Sequence, residues 1–179
     1  MAESHYTHKM SARFDALDHD GDGTISQSDF DQAARTLITA FDQTPASPKG
    51  KALIDGAQHY WTRLAELADA DQDGRITQPE FVAAATRHLR DNQQEYTRMV
   101  RPWVTAVLAV ADVDDSQEVS ADEWERMLAA MGMAPEAAHA RASDIDTDND
   151  GVISLDEALQ SALRFYTTDE PLNPNAAAR

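Results

Sequence analysis

The chain has 179 residues, 42% of them hydrophobic, which is enough for one compact domain or two small lobes with a buried core. It carries 32 acidic residues against 15 Lys and Arg, a formal charge of −17, and no Cys. That balance argues against nucleic acid or an anionic membrane as partner, and it removes disulfides, thiol nucleophiles and thiolate-held metals together.

The opening stretch, MAESHYTHKMSARF, is polar and lacks the apolar segment of a signal peptide, and no run of 18 apolar residues follows. A cytoplasmic location is therefore expected. The first predicted helix carries Met10, Phe14 and Leu17 at helical spacing. It runs into DHDGDGTISQSD, residues 18–29, after which Phe30, Ala33, Ala34 and Leu37 open a second helix. The stretch TPASPKG, residues 44–50, holds two Pro and one Gly and reads as a break between helices. Trp61, Leu64 and Ala68 then lead into DADQDGRITQPE, residues 69–80, and Phe81, Ala84 and Ala85 lead out.

A helix end is predicted near Asp91, then a short turn, with a new helix opening near Pro102, because Pro is tolerated in a first turn. Val104, Leu108 and Ala111 precede DVDDSQEVSADE, residues 112–123, and Trp124, Met127 and Leu128 follow it. Gly132 ends that helix and Pro135 begins the next. Ala138, Ala142 and Ile145 enter DTDNDGVISLDE, residues 146–157, and Ala158, Ser161 and Ala162 leave it. From Thr167 the chain has little to bury and reads as a loose tail.

The four acidic segments are copies of one pattern, the EF-hand calcium loop. A hard divalent cation needs six to eight oxygens at once. Side chains at loop positions 1, 3 and 5 converge on one point, position 7 adds a carbonyl, position 9 contributes directly or through water, and a carboxylate at position 12 closes the shell. Position 6 takes a positive φ, which suits Gly.

The expected ligands of the first loop are Asp18, Asp20, Asp22, the Thr24 carbonyl and Asp29. Asp29 is one methylene shorter than Glu, which weakens discrimination against Mg²⁺ and makes that ion a competitor there. The second loop offers Asp69, Asp71, Asp73, the Arg75 carbonyl and Glu80, with the charged end of Arg75 free to point to water. The fourth offers Asp146, Asp148, Asp150, the Val152 carbonyl and Glu157.

The third loop is the degenerate one. It keeps Asp112, Asp114, Ser116, the Glu118 carbonyl, Ser120 and Glu123, but Ser116 replaces a carboxylate and Gln117 stands where the turn wants Gly. The apolar residue at position 8 should join paired loops, Ile25 facing Ile76 and Val119 facing Ile153. The predicted fold is all-α: four helix–loop–helix units in two lobes, residues 1–91 and 92–166.

With four loops in this length, a long first interval and a first loop closed by Asp29, the chain resembles the sarcoplasmic calcium-binding protein family, its bacterial calerythrin-type members above all. The resemblance covers about residues 8 to 166. It implies two lobes packed as one compact body, and calcium buffering.

Other readings carry less. The six His are scattered; His5 and His8 have the spacing of zinc ligands but no third ligand in view, and His19 should face solvent. Tyr60, Trp61, Trp103 and Trp124 fall in helical patterns and read as core. No motif for phosphate binding or nucleophilic catalysis is present, so an enzyme is not expected. The favoured function is a monomeric Ca²⁺ buffer or carrier with three good sites. The alternative is a Ca²⁺ sensor that exposes an apolar groove to a partner protein, for which Met127, Met131 and Met133 are the candidate lining.

Overall fold

Eight helices follow one another in the computed structural model, which describes residues 5–90 and 92–167. The first hand is α1 (His5–Leu17), β1 (Thr24–Ile25) and α2 (Gln27–Ala40). The second is α3 (Pro48–Ala68), β2 (Ile76–Thr77) and α4 (Gln78–Ala84), prolonged by a π-turn over Ala85–Leu89. The third is α5 (Gln93–Ala111) and α6 (Ala121–Ala130), the fourth α7 (Pro135–Ile145) and α8 (Leu155–Thr167). The loose tail is expected from Thr167; Thr167 instead closes α8, and residues 168–179 lie outside the described residues.

Each helix turns one apolar stripe inward. Tyr6, Met10 and Phe14 on α1, Phe30, Ala34 and Leu37 on α2, and Leu53, Ala57, Tyr60 and Leu64 on α3 recur every three or four residues and join one continuous core. Burial of each large side chain contributes about 1.5–3 kcal/mol. The loops pair as the sequence predicts. Ile25 lies opposite Ile76 in an antiparallel pair, and both are fully buried. In the other lobe the bridge is at Ser120 and Val152; the same register sets Val119 across from Ile153, whose N–H donates to the Val119 carbonyl at 2.7 Å.

One expected boundary is wrong. Pro102 does not open a helix; it sits inside α5, which begins nine residues earlier. Asn92 caps that helix, its side-chain oxygen accepting from the Glu95 N–H at 3.1 Å. A Pro inside a helix leaves the carbonyl four residues back without its donor. That carbonyl belongs to Arg98, and Nε2 of His59 on α3 lies 3.2 Å from it, where the Nε2–H tautomer donates. A neighbouring helix thus compensates the local defect.

The same crossing fuses the two lobes. A Cβ on Gly56 of α3 would lie 3.1 Å from the Trp103 Cα and 3.2 Å from the Pro102 carbonyl oxygen, so Gly is what lets α3 approach α5. Arg13 of α1 donates to the Tyr166 hydroxyl of α8 at 3.1 Å, and the Tyr166 ring packs on Tyr96 of α5 with centroids 4.4 Å apart. First and last helices are therefore joined through the middle of the molecule. Trp124 and Tyr60 are core as expected, and Trp61 and Trp103 pack against its edge. Of the three clustered methionines only Met127 lies in α6 and is buried; Met131 caps the helix end and is exposed.

Candidate metal centres

Each loop is assembled by its own carboxylates before any cation is considered. The residue at position 1 ends the entering helix. In loop one, Asp18 Oδ1 accepts from the Asp22 N–H at 3.1 Å and Oδ2 from the Gly23 N–H at 2.9 Å. Asp69, Asp112 and Asp146 repeat this, accepting from the N–H groups at positions 5 and 6 of their own loops. The position-5 side chain then accepts from the position-7 N–H, as Asp150 does from Val152 at 2.8 Å. These bonds wrap each loop around its position-1 carboxylate.

The closing carboxylate does two jobs. Ser26, Thr77, Ser120 and Ser154 stand at position 9 and cap the outgoing helices, each with the position-12 acid bonded back to it as a capping box. The other oxygen of that acid accepts from position 2: Glu80 from Ala70, Glu123 from Val113, Glu157 from Thr147. Asp29 makes the same two reaches with a shorter side chain, to His19 at 2.8 Å and Ser26 at 2.7 Å. Asp29 is 2% exposed. Ser26, Thr77 and Ser154 are absent from the sequence-predicted site. The pattern Ser/Thr-x-x-Asp/Glu ahead of a helix is the signal that could have found them.

Hydrogen bonding favours the ionised form of several loop acids. Backbone and side-chain donors of Ser154 and Thr147 outweigh partial burial and lower Glu157 to about 2. The Thr77 hydroxyl and N–H lower Glu80, and the Thr24 hydroxyl and N–H lower Asp22.

The structure gathers Asp18, Asp20 and Asp22; Asp69, Asp71 and Asp73; Asp112, Asp114 and Glu123; and Asp146, Asp148 and Glu157, with one oxygen from each within 4.8 Å of the others in its group. Two oxygens on opposite sides of one calcium ion would be about 4.8 Å apart. The donor sets are all oxygen and charged, so they fit a hard divalent cation. The Arg75 side chain is 57% exposed, and its guanidinium also reaches across to Asp22 at 3.2 Å and the Thr24 hydroxyl at 3.3 Å.

Loop three has the same backbone as the others. Gln117 holds φ at 71°, beside 88°, 83° and 83° for Gly23, Gly74 and Gly151. Its altered chemistry is at Ser116, whose hydroxyl donates to the Glu118 carbonyl at 3.0 Å, the oxygen that position 7 would offer a cation.

The chain matches the EF-hand domain pair over residues 8–86 and a single EF hand over 143–157, which take in loops one, two and four. It is 38% identical to a calcium-binding protein of Streptomyces coelicolor of known structure, with a TM-score of 0.86 over 90% of this chain and 98% of that one. Calerythrin of Saccharopolyspora erythraea is 28% identical over 88% of this chain and 90% of its own length. A sarcoplasmic calcium-binding protein of Penaeus is 25% identical, covering 82% and 74%. The chain belongs to the calerythrin-like sarcoplasmic calcium-binding protein family and binds calcium through EF-hand loops.

Proposed function

We propose that this protein is a non-enzymatic, monomeric calcium buffer or carrier of the cytoplasm, loaded at loops one, two and four and weak at loop three. The ligands are Asp18, Asp20, Asp22, the Thr24 carbonyl and Asp29; Asp69, Asp71, Asp73, the Arg75 carbonyl and Glu80; and Asp146, Asp148, Asp150, the Val152 carbonyl and Glu157. Three calcium ions would offset six of the 17 formal negative charges. The short reach of Asp29 supports Mg²⁺ competition at loop one.

The observation that carries buffering is the close crossing of α3 and α5 at Gly56. It holds the hands of loops one and two against those of loops three and four, and works against either pair opening independently around a target helix. Calorimetric titration with and without millimolar Mg²⁺ tests it: three tight sites are expected, one of them sensitive to Mg²⁺, and four equal sites would refute the assignment. A second reading, a sensor, draws on the Streptomyces coelicolor relative, whose structure is described as a basis for calcium-mediated regulation. Calcium-dependent fluorescence of a hydrophobic dye would favour it; unchanged dye binding favours the buffer.

A further inference from the structure

The break between α2 and α3 is a built support for a single cation. Ser47 caps α3, its hydroxyl oxygen accepting from the Gly50 N–H at 3.0 Å, and Pro48 occupies the first turn. Gly50 permits the fold, since a Cβ there would lie 2.0 Å from the Thr44 carbonyl oxygen. Between Pro48 and Gly50, Lys49 projects onto loop three. Its Nζ donates to the Asp112 carbonyl at 2.6 Å and pairs with Asp115 Oδ1 at 2.6 Å. Asp112 is position 1 of that loop and ends α5, so the ammonium also caps the negative end of a helix. The Lys49 side chain is 24% exposed and Asp115 79%. The same corner packs on the third hand a second time, where the Arg126 guanidinium lies 5.3 Å from the Phe41 ring centroid.

We propose that Lys49 is an affinity-setting residue of loop three: an internal cation, delivered by the first lobe, that repels calcium there and cancels the attraction of Asp115. Loop four has Asn149 at the corresponding position 4. The inference rests on the reading of the loops as calcium sites. It adds a third, distant cause to the local defects at Ser116 and Gln117, and it makes calcium at loop three and the seating of the linker oppose each other.

The test is a calcium titration of ¹⁵N-labelled full-length protein, following the backbone amide signals of each loop separately. Lys49→Met, which keeps the apolar stem, should move the midpoint of residues 112–123 to about tenfold lower calcium at low ionic strength, by removing one unit charge near a divalent ion. The gain should shrink as salt is added. Lys49→Arg should titrate like wild type, and the fourth loop should not move in either variant. With chelator present, Lys49→Met should melt below wild type, because the helix end loses its cap. A purely structural role predicts that melting loss with an unmoved or higher midpoint at loop three, and that result overturns the proposal. So does a third loop silent in Lys49→Met while the others respond. Silence of all four loops would instead sink the calcium reading itself.

Discussion

Loops three and four are neighbours, paired through Ser120 and Val152, with the same N–H donors on the position-1 carboxylate and positive φ at positions 4 and 6 in both. What differs is the content of that shared frame. Loop four has a carboxylate at position 5, Gly at position 6 and a neutral Asn at position 4. Loop three has a hydroxyl aimed at its own carbonyl, Gln at positive φ, and a lysine from the other lobe resting on its first residue. A well-formed loop backbone does not by itself set the strength of a site. The backbone can be held by its internal hydrogen bonds while charge and strain decide how well a cation competes for the oxygens.

The largest expected effect sets the scale for that comparison. Each occupied site adds about 2.7 kcal/mol to the native state at free calcium one hundred times Kd, so three sites add roughly 8 kcal/mol. Thermal melts in chelator and in calcium should differ by tens of degrees; coincident melts would remove the basis for ranking the loops at all. Next comes the contrast between closing residues. Glu157→Gln should lose one ion and about 2.7 kcal/mol of the calcium-dependent stability. Glu123→Gln should leave the ion count and most of that stability in place. Equal losses from the two would place loop three among the strong sites.

Exchanging position 6 sharpens the contrast further. Gly151→Gln should weaken loop four about tenfold, the equivalent of the roughly 1–2 kcal/mol needed to hold a Cβ-bearing residue in the left-handed region. Gln117→Gly should stabilise the chelated protein by a similar amount, and combined with Ser116→Asp it should create a fourth site in titration. A double variant that still takes up three ions would put the defect outside these two residues.

The smallest effect is in acid. Glu157 is held near 2 in the fold, below its ordinary value of 4.5, by the Ser154 and Thr147 donors. Its contribution is complete above pH 4.5 and is lost as pH falls toward 2. In chelator, the stability difference between wild type and Glu157→Gln should narrow across that window; a difference that stays constant would show that the closing hydrogen bonds contribute nothing.

Most of the candidate site was legible from residues alone, because a calcium loop is a contiguous stretch whose ligand spacing is written in the chain. The helix stripes were legible for the same reason, and so was the pairing of Ile25 with Ile76. The caps at Ser26, Thr77 and Ser154 are equally local, but they are neutral hydroxyls and fall outside the carboxylate spacing that marks a calcium loop. Pro102 was misplaced for a different reason: in sequence it looks like a helix start, and only the His59 ring from α3 makes it tolerable in the middle of one.

The sequence by itself thus determined four helix–loop–helix units, the acidic spacing of their loops, and a third loop short of one carboxylate and one Gly. These rest on interactions within about a dozen residues, where spacing dictates geometry. The tertiary structure decided what surrounds each loop. The Gly56 crossing fuses the lobes, Arg75 leans on loop one, and Lys49 reaches loop three across 63 residues of chain. No local pattern encodes those contacts, because they exist only after the helices have packed and brought distant charges within a few ångströms of one another.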